Sequence, residues 1–314
     1  MKVFLGLPSD KNKIDCAVAI GNFDGVHRGH QALLQQVVEA ARSRLLCPSV
    51  ITFEPHPREY FNPEAAPARI LSLRDKLEAF EKAGIERVYI FRFNEKTASL
   101  TPEDFVRQLL VDGIHARWIT VGNNFHFGSL RSGDVRTLKY LGEKYHFEVH
   151  LMPMIFHKDQ AISSSRIRFA LREGDIPQVN YMLGRNYMIS GKVLHGQQLG
   201  RKLGFPTINQ RILPPYSKAH PAITGVYAVK LHGLGSRPLE GVACIGRRPT
   251  VAKHGEFLLE THIFNFHKDI YGQIVNVEFF AKIRDEKKFN SLEELQEAIA
   301  QDMSKAKQLL GLSV

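Results

Sequence analysis

The chain has 314 residues, 44 % apolar and 24 % charged, ordinary for a soluble globular protein and enough for about two domains with a core in each. Its formal net charge of +10 could serve nucleic acid, an acidic membrane surface or small polyanionic substrates, but it is scattered, with no run of five or more Lys or Arg, and such an excess is more often a solvated surface, so charge by itself decides little. Cys16, Cys47 and Cys244 are odd in number and far apart, which argues against a disulfide framework and for a reducing compartment. No signal peptide and no apolar stretch near the ~20 residues of a membrane span is visible, so the expected location is the cytoplasm.

Strand and helix patterns alternate through the first part of the chain. Short β-rich runs at 17–23, 49–53, 87–91, 118–121 and 147–152 are separated by helical patterns at 31–44, 74–83, 102–110 and 135–144. Thr101 before Pro102 reads as an N-cap followed by the favoured first-turn proline, and Gly84 and Gly113 fall where helix C-caps belong. This alternation predicts a parallel sheet with helices on both faces, whose ligands bind beyond the carboxyl ends of the strands. After about residue 183 the texture changes. Runs at 188–194, 226–231, 241–245, 257–264 and 274–280 are short, β-rich and bounded by Gly, Pro or Asn, which predicts a small antiparallel barrel or sandwich. A helix at 291–310, opened by a Ser291/Glu294 capping box, closes the chain. The boundary is placed between 182 and 187, giving domains 1–184 and 185–314.

The most informative stretch is 21–30, Gly-Asn-Phe-Asp-Gly-Val-His-Arg-Gly-His, which joins the first buried run to the first helix. A helix N-terminus offers free N–H groups and the positive end of the dipole to an anion. Gly25 and Gly29, lacking a Cβ, allow close approach, and His27 and His30 can donate hydrogen bonds to charge developing on a polyphosphate. The alternative, half of a metal site, lacks a third ligand at recognisable spacing. Three further stretches belong with this turn: 52–57 with Phe53 and Pro55, 121–128 with Asn123 and Asn124, and 162–168 with Ser164, Arg166 and Arg168 at a helix start. Serines there can simply cap the helix; arginine adds fixed donors suited to phosphate oxygens.

In order and spacing, 21–30, 53–57, 122–128 and 162–168 resemble the adenylyltransferase half of the bacterial bifunctional riboflavin kinase/FAD synthetases, and the resemblance continues over nearly the whole chain. It implies a Rossmann-like nucleotidylyltransferase domain (1–184) followed by a riboflavin kinase β-barrel domain (185–314). The implied first-domain reaction is attack of the FMN phosphate on the α-phosphorus of ATP, without a covalent enzyme intermediate. His27, His30 and Arg168 would then act on the triphosphate, with Asn22, Phe23, Gly25 and Ser164 binding ATP and Phe53, Pro55 and Asn124 binding flavin. Many family members carry Asp at one or both positions matching Asn123 and Asn124, and Thr at Ser165.

In the second half, 191–196 and 199–209 form a glycine-rich strand-loop-strand that is not a P-loop, because no Gly-x-x-x-x-Gly-Lys-Ser/Thr exists in the chain. Its segment 205–209 matches the Pro-Thr-x-Asn signature of riboflavin kinases, and 225–228, 245–250, 259–266 and 271–272 match the rest of that module. The resemblance makes Glu260 the general base for the ribityl hydroxyl and gives Thr207 and Asn209 to Mg²⁺ and the ATP phosphates, hard oxygen ligands for a hard ion. Cys244 stands where the family usually has Asn, and Asn265 where it often has Asp. Riboflavin, FMN and ATP are the expected partners, with no nucleic acid and no membrane. Competing readings are a kinase with a weak adenylyltransferase site, motivated by Asn123, and a non-catalytic flavin- or RNA-binding protein. A class I aminoacyl-tRNA synthetase-like enzyme is a third, but its lysine loop would have to be 303–305, inside the terminal helix.

Overall fold

The computed structural model describes residues 1–157, 159–196, 200, 204–214, 217, 219–248 and 256–313. Residues 199, 201–203 and 249–250 of the second-half motifs lie outside the described residues. The chain divides into two compact units: Met1–Ala66 with Lys76–Ser163, and Pro67–Asp75 with Ser164–Val314.

The first unit is built on a parallel six-stranded sheet. Its strands are β1 (Lys2–Leu5), β2 (Cys16–Ile20), β3 (Cys47–Glu54), β4 (Arg87–Arg92), β5 (Ala116–Gly122) and β6 (Glu148–Met152), in the order β1-β4-β3-β2-β5-β6. β2 is buried at every residue, the continuous apolar run expected of a parallel strand covered on both faces. Cys16, Val18 and Ile20 pack with Phe105, Val106, Leu109, Leu110, Leu138 and Leu141 on one face. Helix α1 (Arg28–Arg44), with Leu33, Leu34, Val37, Ala40 and Ala41 buried, packs on β2, β3 and β5 from the other. Helices α2 (Pro57–Phe61), α3 (Leu73–Lys82), α4 (Glu95–Ala98), α5 (Pro102–Asp104) and α6 (Val135–Tyr145) complete the set in this part of the chain.

Two expectations need correction. The helix read over 102–110 is one turn of α-helix, α5, capped by Thr101 as expected (Asp104 N–H to Oγ1, 3.0 Å), which passes into a π-helical segment at Phe105–Val111. Wider turns swing Phe105, Val106, Leu109 and Leu110 together onto the sheet, so packing overrides the α-pattern. Gly113 is not a left-handed cap. A Cβ there would strike the Leu109 carbonyl and the Leu7 side chain, and His115 takes the positive φ of 54° instead. Gly84, with φ +85°, does end α3 as read.

In the second unit, α7 (Ser164–Glu173) and α8 (Ile176–Leu183) precede a closed antiparallel barrel. Its strands are β9 (Met188–Leu194), β10 (Ile208–Arg211), β11 (Gly225–His232), β12 (Leu239–Arg248), β13 (Glu256–Ile263) and β14 (Ile274–Arg284), ordered β10-β13-β12-β11-β14-β9 and closed by β9–β10 pairing. A short pair, β7 (Phe156–His157) with β8 (Gln160–Ala161), lies earlier in the chain, and α9 (Leu292–Leu310) ends it. Inside the barrel Gln210 is fully buried beside Gly191, which has no side chain to displace it; its Nε2 donates to the Gly191 and Val275 carbonyls at 3.0 Å each. The expected capping box at Ser291 is shifted by one residue on its return bond. Glu294 N–H reaches Ser291 Oγ at 3.2 Å, while the Glu294 carboxylate accepts from Asn290 N–H at 3.1 Å. No described helix is long and apolar enough to cross a membrane.

Helix α9 is held on the barrel by Ala306 against Val226, Ala228 and Val242, and by a two-pronged ion pair. Arg284 Nε and Nη2 donate to the two oxygens of Asp302 at 2.9 and 2.7 Å, and Asp302 is 6 % exposed. Asp302→Ala leaves a partly buried guanidinium without its fork partner and is expected to destabilise the barrel by about 1–3 kcal/mol, read from denaturant melts followed by circular dichroism.

Candidate active sites

Strand order locates the first site. The chain builds outward from β2 through β3 and β4, then returns to the other side of β2 for β5 and β6, so the switch point lies between β2 and β5. The turn after β2 opens there. It is tightly coiled, with φ of 51° at Phe23, 90° at Gly25 and 40° at Val26, a strain that persists only where surroundings impose it. Val26 N–H donates to Phe23 O at 3.2 Å, and Gln31 Nε2 donates to Val26 O at 2.8 Å. Phe23 is 2 % exposed, its ring edge-on to His30 at 5.2 Å and to Phe80 at 5.3 Å, so the structure uses it as the base on which His30 rests.

His27 caps α1. Its Nδ1 accepts from His30 N–H at 3.3 Å, so the ring proton is assigned to Nε2. The two imidazoles stack with centroids 3.7 Å apart and planes 15° from parallel. Gly29 makes this possible: a Cβ there would lie 3.2 Å from Cε1 and Nδ1 of His27. Gly29→Ala is therefore expected to tilt that ring and lower reaction at this site roughly 10- to 100-fold with the fold retained, as steady-state turnover would show.

Burial pushes the His30 imidazole well below the ordinary value of 6.5, with His27 and the Lys76 ammonium adding to it. Lys76 is itself 2 % exposed, one turn before Phe80 on the same face of α3. Two buried polar atoms of the turn, His30 Nδ1 and Asn22 Oδ1, have no hydrogen-bond partner among the described residues. Native structures leave few such atoms, which makes this turn a candidate place for a ligand. The His30 shift also sets a pH dependence. Below 6.5 the unfolded chain takes up a proton that the native ring refuses, so stability is full above 6.5 and falls as pH drops through it. Urea melts of the first unit are expected to weaken from pH 7.5 to pH 5.5, with a shallower trend in His30→Gln.

The other residues read for this site sit as follows. Phe53, next to last in β3, lies among Phe91, Phe93 and Phe105, with ring centroids 6.4, 6.0 and 6.4 Å away. The cluster continues through Phe127 to Phe125, which stack at 5.4 Å, and from Phe93 to Tyr60 and Phe61, both at 5.6 Å. The sequence reading used Phe53 and passed over the rest; the alternation Phe91, Phe93 at a strand end was the available signal. Pro55 follows a cis peptide bond from Glu54. Asn123 and Asn124 are exposed on the turn after β5, where Phe125 N–H bonds Gly122 O at 3.0 Å and His126 Nδ1 lies 3.1 Å from Asn124 O. The ends of β2, β3 and β5 share one sheet edge, so the turn at 21–27, Phe53 and the asparagine turn share it too. Ser164 and Arg168 open α7 and group with the second unit, where Arg168 Nε donates to Ala68 O at 2.6 Å.

In the barrel, strand register assembles the second site. Asn209 on β10 stands directly opposite Glu260 on β13, and Glu260 stands opposite Cys244 on β12, so the three form one cross-strand row. Asn209 is 7 % exposed, and its amide occupies the space a side chain at Gly196 would need. Gly200 likewise leaves room for the Thr207 hydroxyl and the Phe205 carbonyl, and His262 Nδ1 lies 2.8 Å from Pro206 O. A cavity of about 280 Å³ opens beside Thr207, walled by Val193, Ile208, Ile263, Ile270 and Tyr271. Thr261 also lines it, fully buried, its hydroxyl without a partner among the described residues. Burial pushes the Cys244 thiol up to about 12, with the Glu286 and Glu260 carboxylates adding to it. Cys244 is thus a neutral thiol beside Glu260, not a nucleophile. Glu286, whose carboxylate fills the space above Gly246, was missed by the sequence reading because only the fold brings it there.

Comparison with known proteins gives the following. A family model described as FAD synthetase matches residues 9–166, and one described as riboflavin kinase matches residues 183–310. The bifunctional riboflavin kinase/FMN adenylyltransferase of Escherichia coli strain K12 is 41 % identical over 298 residues, covering 95 % of this chain and 94 % of that one. The protein of the same name from Haemophilus influenzae is 41 % identical over 292 residues, covering 93 % of each. Among solved structures, a protein from Streptococcus pneumoniae named as a macrolide-efflux protein superposes with a TM-score of 0.71 at 29 % identity, over 94 % of both chains.

Proposed function

The chain belongs to the bifunctional riboflavin kinase/FMN adenylyltransferases, and from that premise we propose that residues 1–184 join the adenylyl group of ATP to FMN while residues 185–314 phosphorylate riboflavin. It is an enzyme of two transfers, riboflavin to FMN and FMN to FAD, with ATP as co-substrate of both. The observation that carries the residue assignment is the pair of unpartnered buried atoms, Asn22 Oδ1 and His30 Nδ1, at a helix N-terminus on the sheet's switch point.

In the adenylyl transfer a phosphate oxygen of FMN attacks the α-phosphorus of ATP and pyrophosphate leaves. Charge grows on the triphosphate oxygens, and the site answers with donors already in place. His27 donates from Nε2. A phosphate only accepts, so His30 meets it as the Nδ1–H tautomer. His30 serves as a neutral donor, since burial disfavours its charged form. Gly25 lets the chain pass close to the phosphates, and Asn22 Oδ1 takes a donor from the nucleotide. Phe23 acts through His30, by supporting its ring. Ser164 and Arg168 are retained for the β- and γ-phosphates on the family resemblance alone. Phe53, Pro55 and Asn124 are assigned to the flavin, whose flat ring matches the aromatic cluster around Phe53.

In the kinase, Glu260 takes the proton of the ribityl 5′-hydroxyl as that oxygen attacks the γ-phosphorus of ATP, the bond from the γ-phosphorus to the bridging oxygen breaks, and ADP leaves. Asn209 and Thr207 face the nucleotide end, where Gly196 and Gly200 leave a cradle that side chains would fill. Amide, hydroxyl and carboxylate oxygens suit Mg²⁺, which binds through few protein ligands together with substrate phosphates. Thr207 and Asn209 would hold it, and when bound it offsets the charge of the ATP phosphates. The apolar cavity beside Thr207 is assigned to the nucleotide. We place the enzyme in the cytoplasm, in keeping with three unbridged cysteines.

The test is direct. Purified protein is incubated with riboflavin, ATP and Mg²⁺, and separately with FMN, ATP and Mg²⁺, and the flavins are separated by chromatography. FMN followed by FAD is expected. FMN alone would favour the reading of a weakened adenylyltransferase and point to Asn123 and Asn124; no product from either mixture would return the chain to a binding role.

A further inference from the structure

Cys16 and Cys47 are far apart in sequence but are partners in register at the first residues of β2 and β3. In a sheet, partnered residues point to the same face, and both belong to the same buried cluster. Neighbouring strands lie about 4.8 Å apart, inside the window of about 4.4–6.8 Å that a disulfide requires between Cα atoms. Cys16 is fully buried and Cys47 is 8 % exposed. Exposed Ile14 and Asp15 precede one, and exposed Leu45 stands two residues before the other, so the pair lies just under the surface. We propose that Cys16 and Cys47 are an oxidisable dithiol that closes to a disulfide in the presence of hydrogen peroxide.

Their surroundings divide the labour. The Cys16 sulfur lies 3.7 Å from the Tyr89 hydroxyl and donates to Ile14 O at 3.0 Å; the Cys47 sulfur donates to Glu86 Oε2 at 3.8 Å. The Cys47 thiol beside it pulls Cys16 below the ordinary thiol range, helped by the Ser49 and Tyr89 hydroxyls and Arg87 against the cost of burial. Cys16 and burial push Cys47 up. Cys16 is therefore the attacking thiolate and Cys47 the resolving thiol. The Cys16 thiolate attacks one peroxide oxygen, the O–O bond breaks, and with a proton the other oxygen leaves as water, giving Cys16 sulfenic acid. The Cys47 sulfur then attacks the Cys16 sulfur, its proton goes to the departing hydroxyl, and a second water leaves. Two thiols and one hydrogen peroxide give one disulfide and two waters; the sulfurs lose the two electrons that reduce the peroxide.

The closed loop runs from 16 to 47 and contains the whole His27/His30 turn and α1. The crosslink ties the two strands at the end opposite that turn, so FAD formation should persist while the unit resists unfolding. The experiment treats the purified full chain with hydrogen peroxide, alkylates it under denaturing conditions and maps the peptides by mass. A Cys16–Cys47 crosslinked peptide is expected, lost on adding dithiothreitol, with Cys244 alkylated as a free thiol. Thermal melting should rise by about 5 °C or more relative to reduced protein. In Cys47→Ser, dimedone should trap a sulfenic acid on Cys16. Cys16 driven to sulfinic acid with Cys47 free, oxidation confined to Cys244, crosslinks only between molecules, or both thiols left unreacted would each overturn the proposal.

Discussion

Replacing His27 and His30 together by alanine stops FAD formation from FMN and ATP, a loss on the order of 10³-fold or more, and leaves conversion of riboflavin to FMN intact. Each ring is one fixed donor to the triphosphate, and loss of a single such donor typically costs about 10²- to 10³-fold in turnover. The double variant also removes the N-cap of α1, whose His27 Nδ1 accepts from His30 N–H; that costs about 1 kcal/mol of stability. His27→Asn separates the two effects. Asparagine is among the best N-caps and restores the helix start, but it cannot place a donor where Nε2–H lies. Turnover low in both variants, with α1 stability recovered in His27→Asn, is the expected pattern. If the double variant silenced both reactions in a folded protein, two independent sites would be wrong.

Glu260→Gln gives the mirror result: riboflavin phosphorylation falls by about 10²- to 10⁴-fold, while supplied FMN is adenylylated at the normal rate. The change keeps the shape of the side chain and its place opposite Asn209 and Cys244, and removes only the capacity to accept a proton. Neighbouring groups cannot readily take over. The Cys244 thiol is pushed up to about 12 and stays protonated, and Asn209 is an amide. An assay of each half reaction with its own substrate, FMN production from riboflavin and FAD production from FMN, checks both variants in one series. A Glu260→Gln protein that still phosphorylates riboflavin at the normal rate would remove Glu260 from the role.

Much of this architecture was readable from residues in line. β2 is a run of five consecutive apolar residues, as expected of a strand covered on both faces, and strand-helix spacing on either side of it implies parallel pairing. The His27/His30 turn was legible because its chemistry sits within ten consecutive residues. Asn209 and Glu260 were named from motifs, and the register that places them opposite each other is a matter of space. What stayed hidden was of that second kind. β1 is a four-residue edge strand with a single inward anchor, Phe4 stacked on Tyr89 at 5.3 Å, too short to show a period. The π-helical segment depends on which phenylalanine and leucine side chains must reach the sheet. Lys76 looks like any helix lysine until α3 is packed, and residues 67–75 join the second unit only through pairings such as Arg69 N–H to His220 O at 2.7 Å. Cys16 and Cys47 become neighbours only when β2 and β3 pair.

The closure of the barrel has a consequence for how the protein is made. β14, the last strand synthesised, pairs with β11 on one side and with β9, the first barrel strand, on the other. Until the ribosome has delivered residues 274–284, β9 and β11 both present raw hydrogen-bonding edges, the state in which chains stick to one another. The parallel sheet needs nothing beyond β6 to be complete. Messages truncated before β14 should therefore yield a soluble first half attached to an aggregation-prone second, and the adenylyltransferase should mature on the nascent chain before the kinase that supplies its substrate.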